Sequence, residues 1–452
     1  MKRNRDRGKS MTAVITLGFA LLILIGALLL MMPFSSADGS FTPFCDSLFT
    51  ATSSTCVTGL IVLDTATHWS TFGQCVILVL IQVGGIGFMS LAVMLSILIK
   101  RNVSPHERML VMQSYNMNTY ERPLEFVKRI FGWTFGIELL GAVILAFRFI
   151  PDFGVAQGIY KSIFHSISAF CNAGFDIIGV GNSAITSMGY YSEDILVNVT
   201  LMLLIVTGGL GFVVINDLVG FVRSRKRLGV YTKLVLIITV VLILFGALGY
   251  ALLEWNNPQT LAGRSVGSKI LASFFQSITL RTAGFSMIDN ALTTSGSQFL
   301  ALILMFIGGA SGSTAGGVKV VTMGILVYTV YSVAIGRKSV SIFGRRVSND
   351  SFMRAVSIVC IQLFLVVVAT FMISASADAD IMTSVFEVVS AGGTVGVSLG
   401  FTPTLDLFSK FVIIFLMYFG RVGILSITYT LTLNIRDKKS VVNYPEANLL
   451  IG

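Results

Sequence analysis

Thr55-Cys56-Val57-Thr58-Gly59 sits between a short amphipathic run, residues 44–54, and a long apolar run, residues 70–99, and another apolar run, residues 11–34, precedes them all. The same order returns three times. Residues 130–147 and 160–170 lead into Cys171-Asn172-Ala173-Gly174 and then 195–222. Residues 234–253 and 269–280 lead into Arg281-Thr282-Ala283-Gly284 and then 299–333. Residues 355–377 and 381–392 lead into Gly393-Thr394-Val395-Gly396 and then 411–435. From 59 to 174, 174 to 284 and 284 to 396 the loop glycines recur at intervals of 115, 110 and 112 residues, and four such units fill the chain. A supersecondary unit repeated at a fixed period signals a symmetric assembly. The expected fold is therefore an all-α membrane protein with four parallel helix–pore loop–helix repeats around a pseudo-fourfold pore and eight transmembrane helices. The units would be residues 1–100, 101–223, 224–340 and 341–452. Gly84, Gly309 and Arg421 each lie 25 residues beyond their loop glycine and are expected to be level with one another. In the second unit Gly208-Gly209 comes later, which implies a longer outer loop around residues 181–191.

Composition assigns the solvent. The chain is 54% hydrophobic and only 12% charged, where a soluble domain carries about 25% charged residues. Residues 11–37, 70–99 and 234–253 contain no charge at all, and each reaches the roughly 20 residues that a membrane span needs. The basic start, residues 1–9, imitates a signal peptide, but the apolar run behind it exceeds the 7–15 residues typical of a cleaved signal, so it is expected to stay as a permanent helix. The net charge of +10 does not point to nucleic acid. Basic residues gather in five clusters beside apolar spans, at residues 2–9, 100–129, 223–233, 337–354 and 436–439. This is the positive-inside pattern. It predicts a multi-pass membrane protein with both termini cytoplasmic. Cys45, Cys56, Cys75, Cys171 and Cys360 form no CxxC pair, and His68, His106 and His165 lie far apart in sequence, so free buried thiols are expected and no metal cluster.

Backbone at membrane depth that is neither helix nor barrel must line protein or water. Four such loops around one axis make a pore. Glycine tolerates backbone angles that other residues resist, which lets consecutive carbonyl oxygens point inward and replace an ion's hydration shell. Each short helix before a loop aims its negative C-terminal end at the axis and favours cations. Asp176 is a candidate to draw cations to the outer mouth, and Glu387 to hold loop amides. Glu138 and Asp217 read as packing partners.

Gly308-Gly309-Ala310-Ser311-Gly312-Ser313-Thr314-Ala315-Gly316-Gly317-Val318-Lys319 interrupts the last apolar run of the third unit. Each glycine costs a helix about 1 kcal/mol relative to alanine, so the helix should break here and leave a mobile barrier under the loops. The spacing from Gly312 to Lys319 does not fit a phosphate-binding loop. A GxSG serine protease would need a later histidine as base, and none follows His165. Neither an enzyme nor an organic cofactor is expected. Arg421 is a cation at membrane depth, which is costly and marks function; it is expected beside the pore, just inside the loops. Lys319 is expected to hold the glycine-rich loop to carbonyls, and Arg281 to brace its own loop from behind. Alternating access would call for inverted repeats, whereas each unit here has two spans and the repeats run parallel.

Thr394-Val395-Gly396 resembles the Thr-Val-Gly core of potassium-channel filters. The segments 169–175 and 281–285 are similar to the second and third filter loops of the Trk/Ktr/HKT potassium transporter superfamily. Residues 308–319 resemble that family's intramembrane gate, and 418–423 its last pore-lining helix. The resemblance spans essentially the whole chain. It is strongest to the membrane subunit of the bacterial Ktr uptake systems, since the extra N-terminal spans of the larger Trk subunits are missing. It implies potassium as the cargo, because a glycine stands in all four loops and a serine in place of the first goes with sodium transport. It also implies a homodimer regulated by a cytosolic nucleotide-binding ring. A sodium-conducting or sodium-coupled transporter of the same fold is the alternative.

Overall fold

The computed structural model describes residues 2–99, 105–114, 123–179, 184–225, 227–337 and 340–423. The structure is helical apart from one two-residue antiparallel pair, Ser341–Ile342 with Arg345–Arg346. The first stretch holds α1 (Lys2–Met31), α2 (Phe44–Thr55), α3 (Thr71–Ile86) and α4 (Phe88–Leu98). After α5 (Pro105–Ser114), the second holds α6 (Pro123–Phe153), α7 (Val155–Phe170), α8 (Ile195–Leu210) and α9 (Phe212–Ser224). The third holds α10 (Val230–Glu254), α11 (Val266–Thr279), α12 (Ser295–Phe306) and α13 (Val320–Ala334). The fourth holds α14 (Asn349–Ala377), α15 (Ile381–Gly393) and α16 (Leu407–Val422).

Among the described residues, α1, α6, α10 and α14 are each long and apolar enough to cross a membrane unaided. Their outer faces carry bare hydrocarbon: Leu17, Leu139, Phe147, Leu252 and Phe371 are all at least two-thirds exposed. Apolar surface on this scale needs lipid as its solvent. The short helices α2, α7, α11 and α15 pack against this outer set, with their C-terminal halves buried. Lipid tails are as apolar as leucine, so helices inside a membrane associate through close packing of small residues. Helix α2 follows that rule: Ser47, Thr50, Ala51, Thr52, Ser53 and Ser54 are all buried. Thr50, Thr52 and Ser54 turn their hydroxyls onto the carbonyls of Asp46, Leu48 and Thr50, at 2.9, 2.7 and 2.7 Å. The last stretch closes onto the first. Lys410 at the start of α16 pairs with Asp46 of α2 at 2.7 Å, and the Tyr418 hydroxyl donates to the Thr16 carbonyl at 2.6 Å.

The second long helices of the first three stretches differ from expectation, because none of those three is continuous. The first breaks between α3 and α4 at Gly87, and the second between α8 and α9 at Gly211, with a bend of 100°. The third is interrupted from 307 to 319, and α16 ends at Gly423. Gly87, Gly211 and Gly423 share one conformation, φ/ψ of 91/128, 85/153 and 96/134. Only glycine adopts it without strain, so one glycine in an apolar run was enough to cut the helix. The expected continuation of the last helix to 435, the cluster at 436–439 and part of the outer loop at 181–191 lie outside the described residues.

The register of Gly84, Gly309 and Arg421 also needs correction. A Cβ on Gly84 would fall on the carbonyl oxygen of Thr55, one on Gly208 on that of Phe170, and one on Gly420 on that of Gly392. These three glycines let a helix backbone touch the end of a short helix. Each stands three residues before the breaking glycine. Arg421 is therefore equivalent to Gly85 and Gly209, one residue off, and Gly309 already lies in the loop beyond α12. With a Cβ forced onto a backbone oxygen, Gly208→Ala is expected to lower the thermal stability of the detergent-solubilised protein by several degrees or block its accumulation, at a cost of about 1–3 kcal/mol. A melting curve like that of the unaltered chain would contradict the close approach. The thiols are another correction: all five are free, but Cys75 and Cys360 are exposed rather than buried.

Candidate functional site

A helix leaves its last carbonyls unpaired, and the ends of the four short helices are closed by one recurrent turn. The N–H of the residue before the loop glycine reaches back into the helix: Thr58 to Ser53, Ala173 to Ser168 and Val395 to Ser390, each at 2.8 Å. In the third loop Ala283 reaches Thr279 at 2.9 Å, a turn one residue tighter. Such a cap requires a left-handed residue, for which glycine is the usual choice. Here Val57, Asn172, Thr282 and Thr394 take that place, with φ of 57°, 59°, 69° and 51°. Three of these are β-branched, for which this region is strained, at about 1–3 kcal/mol each. Strain repeated at matched places marks a functional constraint. Thr55 and Gly393, expected in the loops, are the last residues of α2 and α15.

The loop glycines are left-handed too: Gly59, Gly174, Gly284 and Gly396 have φ of 93°, 70°, 84° and 89°. They interlock. A Cβ on Gly59 would collide with the Ala173 carbonyl oxygen, and one on Gly396 with that of Thr58. On Gly174 it would come within 2.6 Å of the Ala283 oxygen, and on Gly284 within 2.7 Å of the Val395 oxygen. Each loop thus presses its glycine on the carbonyl of the next, and the fourth returns to the first. The hydroxyls of Thr55, Thr58, Thr282 and Thr394 in these loops are buried without a hydrogen-bond partner among the described residues. A buried polar atom left unpaired is costly, and oxygen atoms of this kind suit a hard, weakly hydrated cation.

Beyond the glycines opens a mouth of about 190 Å³, bordered by Asp64, Asp176, Ser286, Ser398 and Thr402 among others. Asp176, expected to draw cations to an outer mouth, borders this one, and so does Asp64, which was not singled out. Arg281 is buried, and its Nε has no hydrogen-bond partner among the described residues.

On the opposite side of the ring lies the glycine-rich loop. Its base is a short bridge, with Gly308 N–H donating to the Val318 carbonyl at 2.9 Å and Val320 N–H to Gly309 at 3.0 Å. Its tip takes up carbonyls freed by the helix breaks. Ala310 N–H donates to the Gly209 carbonyl at 3.0 Å, and the Thr314 hydroxyl to the Phe170 carbonyl at 3.2 Å. Phe212 N–H, at the start of α9, donates to Gly312 at 3.2 Å. A Cβ on Gly316 would strike the Thr394 hydroxyl, and one on Gly317 would approach the Gly393 oxygen to 3.1 Å. The loop therefore lies directly against loops two and four.

Two cations hold it. Lys319 Nζ donates to the Ala315 carbonyl at 2.7 Å. Arg421 donates to the Thr314 carbonyl and to the carbonyls of Gly84 and Gly85, which the break at Gly87 leaves without helix partners. Two further side chains stand nearby, one read from the sequence as a packing partner and one not singled out. Glu138 of α6 is buried behind loop two, accepting from Gln82 Nε2 at 3.0 Å with Cys171 Sγ 3.8 Å away. Tyr231 of α10 donates to the Ser311 carbonyl at 2.7 Å. An ionisable residue in an apolar run was the only available signal for Glu138; Tyr231 gave none.

The chain is 37% identical to the potassium/sodium uptake protein NtpJ of Enterococcus hirae, over all of this chain and 99% of that one. It is also 37% identical to the Ktr system potassium uptake protein B of Bacillus subtilis, over 97% of this chain and 96% of the relative. The crystal structure of the potassium transporter TrkH from Vibrio parahaemolyticus superimposes with a TM-score of 0.74 at 19% identity, covering 95% of this chain and 86% of that one. Residues 4–441 match the TrkH family, described as a cation transport protein. An α-helical, multi-pass membrane protein with this ring of loops, the chain belongs to the TrkH family of cation transport proteins.

Proposed function

We propose that this chain is the ion-translocating subunit of a Ktr-type potassium uptake system. Residues 1–100, 101–223, 224–340 and 341–452 each supply one quarter of a pore. The segments 55–59, 171–174, 281–284 and 393–396 form its selectivity filter, and residues 308–317 with Lys319 and Arg421 form its gate. The observation that carries this reading is the closed ring in which every loop glycine rests on the carbonyl before the next. Potassium crosses passively, driven by the membrane potential, which supplies about 2.3 kcal/mol per 100 mV for one charge. The protein is a transporter and not an enzyme, with no organic cofactor. It works as a homodimer in the cell membrane with both termini cytoplasmic, under a cytosolic nucleotide-binding ring. Relatives named as potassium uptake subunits B and D of Ktr systems support a multi-component assembly.

Gly59→Ser tests the filter. A side chain at φ +93° costs about 1–3 kcal/mol and meets the Ala173 oxygen, so the loop must shift. Preference for potassium over sodium is expected to fall on the order of tenfold. Potassium and sodium uptake is to be measured in a bacterium lacking its own potassium uptake systems. Unchanged preference would remove Gly59 from the filter. A second reading, sodium conduction, is favoured by one observation, the name potassium/sodium uptake protein carried by a relative at 37% identity. Ion competition in the same cells separates the two.

A further inference from the structure

We propose that Glu387 is a specificity-determining positioning residue, a clamp within the fourth short helix that fixes the outer rim of the filter. This rests on the reading of the four loops as the filter. The Glu387 carboxylate is fully buried, nine positions before Gly396. It accepts from the Ser398 hydroxyl and, at 2.9 Å, from the Thr402 hydroxyl. Both bonds bring hydroxyls of the segment after the loop glycine onto one buried carboxylate. Ser398 and Thr402 border the outer mouth, and Val397 between filter and clamp does so too. The segment that runs from Gly396 over the rim is therefore held at its second to sixth residues by one buried side chain.

The same place is used in two other units. His165, nine positions before Gly174, accepts at Nε2 from Ile177 N–H at 3.3 Å, three residues past that glycine. Its Nδ1 faces the Lys161 carbonyl at 2.6 Å, which can only accept, so the imidazole orientation is set. In the third unit, whose turn is one residue tighter, Gln276 donates to the Asn290 side chain, and Asn290 donates to the Ser286 hydroxyl at 2.7 Å. Ser286 borders the mouth as Ser398 does. The first unit differs: Thr50 spends its hydroxyl on the Asp46 carbonyl at 2.9 Å. Three chemically different side chains at one structural place, all tied to the segment after the glycine, identify a shared task. Of the three, Glu387 bonds two residues of that segment directly. Loss of this clamp lets the loop-four carbonyls relax toward a smaller cation.

The test compares Glu387→Leu, Glu387→Gln, Ser398→Ala and Thr402→Val in the full chain, by potassium and sodium uptake with membrane abundance measured alongside. Glu387→Leu is expected to lower the potassium-over-sodium preference on the order of tenfold. Glu387→Gln keeps one acceptor and should fall between. Ser398→Ala combined with Glu387→Gln should lose less than the two separate losses together, as partners in one network do. If Glu387→Leu fails to accumulate, Ser398→Ala and Thr402→Val decide through the same preference. Wild-type preference in well-expressed Glu387→Gln, Ser398→Ala and Thr402→Val, with Gly59→Ser shifting it, overturns the clamp and leaves the filter standing. Wild-type preference in all of them, Gly59→Ser included, overturns both.

Discussion

Removing residues 310–316 is expected to raise potassium flux about tenfold or more and to make it insensitive to a regulatory partner. The structure makes this deletion feasible. The base of the loop is already closed by the bonds between Gly308 and Val318 and between Val320 and Gly309, and a Cβ on Gly308 would collide with the Gly316 carbonyl oxygen. The ends to be joined are thus neighbours, and α12 and α13 keep their places. What disappears is the tip that lies against Phe170 and Thr394. A barrier that occupies the path nine-tenths of the time holds flux about tenfold below its open value. The closing bonds to other elements, from Ala310, Thr314 and Gly312, contribute about 0.5–1.5 kcal/mol each, which is a range a binding partner can overcome. A partner acts only by preferring one state of the loop, and Tyr231 and Phe212 tie that loop to α10 and α9. Uptake by the deletion variant, with and without the partner and nucleotide, is the measurement. Flux no faster than that of the unaltered chain, still responding to nucleotide, would show that the loop is not the gate.

Much of this arrangement was legible in the sequence because period and composition carry it. Four glycines at nearly equal intervals announced four loops, and the apolar runs before them announced α1, α6, α10 and α14. The glycine-rich run at 308–319 announced its own break. Breaks at Gly87 and Gly211 were not legible, since one glycine in an apolar helix more often reflects close packing than a kink. The chain uses glycine for both purposes a few residues apart: Gly84 and Gly208 for approach, Gly87 and Gly211 for the break. Residue counting could not separate them, and that is how Arg421 came to be aligned with Gly84 instead of Gly85. Nor could counting reveal that Glu138 and Cys171, far apart in the chain, meet behind loop two. Val57 and Thr282 in left-handed conformations run against the preferences of β-branched residues, so local propensity pointed away from the very turn that forms the ring.

Replacing Arg421 with glutamine is expected to raise flux several-fold and to weaken its control. Two effects act in the same direction. A cation passing about 6 Å from a fixed guanidinium meets a repulsion of roughly 3 kcal/mol at an effective dielectric of about 20. The guanidinium also joins the Thr314 carbonyl of the loop to the Gly84 and Gly85 carbonyls of α3, and hydrogen bonds to a charged group are worth about 1.5–3 kcal/mol each. Glutamine removes the charge and has too short a reach to span both sides. Lysine separates the contributions, because it keeps the charge but is a point donor without the planar fork that reaches two acceptors at once. If pinning dominates, Arg421→Lys and Arg421→Gln both conduct faster. If charge dominates, only Arg421→Gln does, and the gain is larger at low ionic strength, where charges are least screened. Current–voltage curves of the three proteins in planar bilayers distinguish these outcomes. Should both variants conduct like the unaltered chain at normal abundance, Arg421 acts only to satisfy the carbonyls that the break at Gly87 leaves open, and the glycine-rich loop is held by Lys319, Tyr231, the Thr314 hydroxyl and its backbone bonds.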